Sequence, residues 1–82
     1  MVHKIIWSES ASRQLGKLDR GVAKRILECV QQLEVDPLRY LRRLVGVPYY
    51  RLRVGDFRVI VEVMQDRLLV LVLKFGHRSS VY

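Results

Sequence analysis

Residues 49–64 read Tyr49-Tyr50-Arg51-Leu52-Arg53-Val54-Gly55-Asp56-Phe57-Arg58-Val59-Ile60-Val61-Glu62-Val63-Met64. Two runs rich in β-branched and aromatic residues flank Gly55-Asp56, which is the composition of a tight two-residue hairpin. Glycine supplies the positive φ that primed turns require. The turn fixes the register: Val54 faces Phe57, Arg53 faces Arg58, Leu52 faces Val59 and Arg51 faces Ile60. Side chains alternate along a strand, so the hairpin has two faces. Tyr50, Leu52, Val54, Phe57, Val59, Val61 and Val63 form an apolar face, the expected core. Tyr49, Arg51, Arg53, Arg58, Ile60, Glu62 and Met64 form the other.

The second face is unusual. Arg53 and Arg58 are expected directly opposite one another, with Arg51 two residues along. Like charges facing each other across a sheet cost from tenths of a kcal/mol to about 1 kcal/mol. An anion held between them would offset that cost. The guanidinium fork matches phosphate and keeps its charge at any working pH. The plainer reading is a solvated face, partly neutralised by Glu62.

Outward from the hairpin, residues 68–75 are almost all apolar and read as a third strand after a turn at Gln65-Asp66-Arg67. A tail follows: Gly76-His77-Arg78-Ser79-Ser80-Val81-Tyr82. Upstream, Lys4 to Trp7 reads as a short strand. Ser8 is placed to cap a helix carrying Ala11, Leu15 and Leu18, with Glu9 in its first turn. Asp19-Arg20-Gly21 breaks that helix, and Asp19 can cap the next. Val22, Ile26, Cys29, Val30 and Leu33 make an apolar stripe that carries the second helix to about Val35, before Asp36-Pro37 stops it. Leu38, Leu41, Leu44 and Val45 are expected to anchor a turn or loop over residues 38–48, leaving Arg39, Arg42 and Arg43 in water. The expected fold is α+β: an N-terminal strand and a helical hairpin packed on one face of a small antiparallel sheet.

The whole chain has 82 residues and a net charge of +7, with half its residues hydrophobic. That length suits a single domain, residues 1–82. The positive charge favours a polyanionic partner, with nucleic acid the commonest. The longest apolar run falls far short of the roughly 20 residues of a membrane span, and the N-terminus has no signal-peptide pattern. With one cysteine there is no internal disulfide or zinc cage. A cytoplasmic location is expected, with no metal, cofactor or membrane partner.

The hairpin 49–60 together with the ending Phe75-Gly76-His77-Arg78-Ser79-Ser80-Val81-Tyr82 resembles the RelE/ParE toxin superfamily, and the likeness extends over essentially the whole chain. It implies a RelE-like, microbial ribonuclease-like core. For the RelE branch it implies the toxin of a type II toxin–antitoxin system: an mRNA interferase that inhibits translation as a ribosome-dependent endoribonuclease. In that chemistry a ribose 2′-OH attacks the adjacent phosphate of the A-site codon, without a metal. By the same likeness Arg58 and Arg78 would bind the scissile phosphate, and Arg51 and Arg53 would stabilise charge. Tyr82 would stack on a base or take the 2′-OH proton. Some relatives carry lysines in place of Arg51 and Arg53. Arginine is a poor proton carrier, which leaves those two positions an electrostatic role and makes His77 a second candidate for proton transfer. Arg39, Arg42, Arg43 and Tyr49 are candidates for further nucleic-acid contacts. The implied partners are mRNA, ribosomal RNA and a cognate RelB-like antitoxin, for whose apolar anchor Ile60 and Met64 offer a place. Two alternatives stand beside this reading: a ParE-like inhibitor of DNA gyrase without nuclease activity, and an inactive RNA- or ribosome-binding module.

Overall fold

The computed structural model describes residues 2–77. The chain runs β1 (Lys4–Trp7), α1 (Glu9–Gly16), α2 (Arg20–Gln31), β2 (Arg42–Arg43), β3 (Tyr50–Val54), β4 (Phe57–Met64) and β5 (Leu69–His77). The five strands form one sheet in the order β1-β5-β4-β3-β2. All neighbours are antiparallel except β1, which runs parallel to β5 with Trp7 beside Val72. The α+β architecture is the one expected, with the sheet mixed at that edge.

Local chemistry accounts for the helices. The Ser8 side-chain oxygen accepts from the Ala11 N–H at 3.0 Å, and the Asp19 carboxylate accepts from the Gly21 N–H at 3.1 Å. Each cap satisfies an N–H that the first turn of a helix leaves without a partner. α2 stops at Gln31 and tightens into a single 3₁₀ turn, Gln32–Glu34, so the helical stretch ends slightly before the expected Val35. Asp36 then takes a left-handed φ of 53° ahead of Pro37.

The core lies between the helical hairpin and one sheet face. Ala11, Ile26, Val30 and Leu33 from the helical side meet Leu52, Val54, Val59, Val61, Val70, Val72 and Phe75 from the sheet. Trp7 packs edge-on against Phe75, ring centroids 6.5 Å apart. The predicted hairpin register is found at all four positions. Gly55 has φ 57° and Asp56 does not share the positive φ, which is the demand of a type II′ turn. The Arg25 guanidinium of α2 lies over this turn, so close that a Cβ on Gly55 would sit 3.1 Å from its Nη1.

Several expectations are corrected. Residues 38–48 contain a two-residue strand, β2, which pairs Arg42 with Arg51 and Arg43 with Tyr50. Leu38 and Val45 are exposed, while Leu41 packs against the core. The loop closes through the Leu44 N–H donating to the Tyr49 carbonyl at 3.0 Å, which makes it a hairpin in its own right. Leu68 belongs to the turn, with φ 53°, and β5 runs past Phe75 to His77. Ile60, expected outward and available, does lie on the arginine face but is buried, at 2% exposure.

An irregularity in β5 lies beside Ile60. Ile60 pairs with Lys74, but Val61 pairs with Val72, so Leu73 is an extra residue in the ladder. Such a bulge reverses the phase of a strand. Before it, Val70 and Val72 enter the core; after it, Phe75 does. Strict alternation from Val72 would have carried Lys74 inside. The bulge instead turns Lys74 outward.

The capping residue of α1 and one side chain within it fasten this stretch. β1 ends beside Val72, leaving the backbone of β5 beyond it without a strand on that side. The Ser8 hydroxyl donates to the Leu73 carbonyl at 2.7 Å. The Gln14 amide donates through Nε2 to the Phe75 carbonyl at 2.6 Å and accepts at Oε1 from the Phe75 N–H at 3.2 Å. Gln14 thus completes the sheet edge as a strand would.

Candidate nucleic-acid interface

The helices cover one face of the sheet. The opposite face carries the arginines, and strand pairing sorts them into rows. One row crosses four strands: Arg42 on β2, Arg51 on β3, Ile60 on β4 and Lys74 on β5. The next row toward the turn holds Arg53 on β3, Arg58 on β4 and Gly76 on β5. Rows two residues apart along a strand are separated by about 7 Å, and paired Cβ atoms within a row by about 5 Å. Arg53 and Lys74 are exposed, and Arg51 and Arg58 are half-buried.

A groove of about 620 Å³ opens on the first row. Ile60 and Leu73 line it together with Arg51 and Lys74. The β2–β3 loop forms the far wall, through Leu44, Val45, Val47 and Tyr49, with Arg42 and Arg43 beside it. No carboxylate lines the groove among the described residues. Glu62 stands on the same sheet face but one row further from the turn, paired with Leu71. The groove is therefore apolar inside and cationic at its edges. That combination suits a single-stranded nucleic acid, whose bases seek apolar surface while its phosphates seek charge.

The expected site residues separate into three groups. Arg51, Arg53 and Arg58 come together as the hairpin register required; of the three, Arg51 lines the groove, where Arg42, Arg43 and Tyr49 join it. Arg39 does not line it; its guanidinium lies 5.8 Å from the centre of the Tyr40 ring in the turn before β2. His77 pairs with Phe57, the rings meeting edge-on at 6.0 Å. Arg58 and Gly76, the adjacent pair, face the other way, so alternation sets the imidazole on the sheet face opposite Arg58. Arg78 and Tyr82 lie outside the described residues. Lys74 is the cation the sequence reading missed. Its signal was present as a conflict of phase, a lysine at the position where Val70 and Val72 predict a core residue.

Among the described residues no helix is long and apolar enough to cross a membrane.

Residues 5–82 match the family described as the ParE toxin of type II toxin–antitoxin system, parDE. An Escherichia coli protein, "Putative RelE-like toxin protein", is 27% identical over 88 aligned positions, covering all of this chain and 92% of its own length. The RelE–RelB complex of the archaeon Pyrococcus horikoshii OT3 contains a chain 26% identical, with a TM-score of 0.83 over 99% of this chain and 100% of that one. A chain of the RelBE2 toxin–antitoxin complex from Mycobacterium tuberculosis, 22% identical, shares the fold with a TM-score of 0.84 over 95% of this chain and 100% of that one. The strand–helical hairpin–sheet order, the arginine hairpin and the match over residues 5–82 agree: the chain belongs to the ParE toxin family of type II toxin–antitoxin systems, within the RelE/ParE superfamily.

Proposed function

We propose that this toxin is a ribosome-dependent endoribonuclease that cleaves mRNA in the A site, and that the uncovered sheet face is where it holds the RNA. The observation that carries the reading is the Arg53–Arg58 pair, set opposite one another on that face with Arg51 two residues along. Like charges are disfavoured in this arrangement, whereas a bound phosphate makes it favourable. In the reaction the 2′-OH attacks phosphorus and the 5′ oxygen leaves. The phosphorane between them carries added negative charge. Positively charged donors aimed at that charge lower the barrier more than they stabilise the ground state. Arg58 binds the scissile phosphate together with Arg78, Arg51 and Arg53 stabilise the developing charge, and Tyr82 stacks on a base. Arg42, Arg43 and Tyr49 hold the neighbouring nucleotides along the groove.

The toxin's partner is a RelB-like antitoxin, a reading supported by relatives that crystallise as RelB–RelE complexes. The second reading is gyrase inhibition without nuclease activity, favoured by the ParE description of the matching family. One experiment separates the two. The purified chain is added to a coupled translation reaction and mRNA 5′ ends are mapped by primer extension. Codon-spaced cuts that require ribosomes are expected, and Arg58→Ala should abolish them while leaving circular dichroism unchanged. Intact mRNA combined with double-strand breaks in a gyrase assay would establish the second reading instead.

A further inference from the structure

We propose that Lys74 is a catalytic residue, the proton donor to the leaving 5′ oxygen; this rests on the ribonuclease reading above. That chemistry needs a proton at O5′, because an alkoxide is a poor leaving group, and the arginines of the site cannot readily release one. Lys74 can, and three features of the fold direct it there. The Leu73 bulge turns Lys74 out of the core and onto the arginine face, where it pairs with Ile60. Ser8, which caps α1, and Gln14 within α1 hold the backbone on either side of it, at Leu73 and Phe75. The residue paired with Arg58 on β5 is Gly76, so no side chain stands between Arg58 and Lys74, its diagonal neighbour at about 7–8 Å. Bulges are common beside active sites, where they re-aim a side chain. Lys74 is exposed and makes no ion pair among the described residues.

A phosphate held at Arg53 and Arg58 lies within the sweep of the Lys74 side chain. The step balances without a metal or redox partner. The O2′–P bond forms and the 2′-OH proton passes to solvent water. The P–O5′ bond breaks, O5′ takes a proton from the Lys74 ammonium, and the amine is reprotonated from solvent. Arg51 and Lys74 flank Ile60 from the two neighbouring strands, so charge stabilisation and proton delivery arrive from opposite sides of one row.

The test uses ribosomes programmed with an A-site codon that carries either the natural linkage or a bridging 5′-phosphorothiolate, whose sulfur leaves without protonation. Lys74→Arg keeps the charge and Lys74→Met keeps the apolar stem. Both should slow cleavage of the natural linkage about 100-fold or more. Both should cut the thio linkage within a few-fold of the unsubstituted chain. Wild-type speed of Lys74→Arg on the natural linkage, or equal slowing on both linkages, would overturn the proton role alone. No cleavage of either linkage by the unsubstituted chain would overturn the ribonuclease reading, and this one with it. Circular dichroism of both variants, matched to the parent, excludes misfolding as the cause.

Discussion

Gln14→Ala tests whether α1 acts as a substitute strand for β5. The Gln14 side chain satisfies both the N–H and the C=O of Phe75, at 3.2 and 2.6 Å. Phe75 is 2% exposed and belongs to the core, so water reaches these groups poorly once the amide is gone. Each hydrogen bond contributes a net 0.5–1.5 kcal/mol, and a buried group left unsatisfied costs about 1–3 kcal/mol. Two such groups, partly accessible, put the loss at about 2–3 kcal/mol. For a domain of this size each kcal/mol corresponds to about 4–8 °C in Tm, so the variant should melt roughly 10–20 °C lower. Urea unfolding followed by circular dichroism measures the loss directly. Gln14→Glu sharpens the test: it keeps an acceptor for the Phe75 N–H but sets a carboxylate against the Phe75 carbonyl. Its deficit at pH 7 should equal or exceed that of alanine. A loss below about 0.5 kcal/mol in both variants would refute the reasoning, since the edge of β5 would then be held by something else.

Two further predictions concern the hairpin. Gly55→Ala forces a side chain into φ 57° and against the Arg25 guanidinium; with about 1–2 kcal/mol for the left-handed backbone alone, a stability loss of at least 1 kcal/mol is expected in chemical denaturation, and a neutral result would show that the turn reshapes freely. Arg53→Thr removes half of a like-charged pair, so stability should hold or rise by up to about 1 kcal/mol, while the slope of log K against log salt for single-stranded RNA should become shallower by about 0.7, the contribution of one phosphate contact. An unchanged slope in fluorescence anisotropy would remove Arg53 from the RNA-binding surface.

The parts of this fold legible in the sequence are those set by short-range chemistry. Gly55 determined one turn, and the turn determined a register that the structure reproduces pair by pair. Ser8 and Asp19 marked helix starts because their side chains bond to backbone only two or three residues away. The site was legible to the same extent: Arg51, Arg53 and Arg58 share a hairpin, so local register was enough to bring them together. Lys74 was missed although the conflict of phase with Val70 and Val72 lay within its own strand, whereas Gln14 was not legible, since its role depends on a residue far along the chain. Gln14 meets Phe75 across 61 positions of sequence, and nothing near it signals that contact. β2 was missed because a two-residue strand has no periodicity to detect; it exists only because Arg51 and Tyr50 offer it an edge.

The bulge at Leu73 joins these levels. A strand with regular alternation through Val70 and Val72 would bury Lys74 and expose Phe75, exchanging a core aromatic for an unpaired buried ammonium. Burying a lone charge costs several kcal/mol, and losing a buried aromatic costs about 3–5 kcal/mol. Those two terms far exceed the loss of one ladder position, so the sequence of β5 itself requires the phase change. The consequence falls on the other face. The residue that cannot enter the core is delivered to the row containing Arg51, beside the row containing Arg53 and Arg58. Core packing on the helical side and cation placement on the open side are thus two results of a single backbone irregularity. Deleting Leu73, the extra residue, should therefore regularise the ladder and leave Lys74 opposite Ile60 and Phe75 in the core; single-stranded RNA binding should survive the deletion in fluorescence anisotropy, and its loss would show that the phase argument does not account for where Lys74 stands.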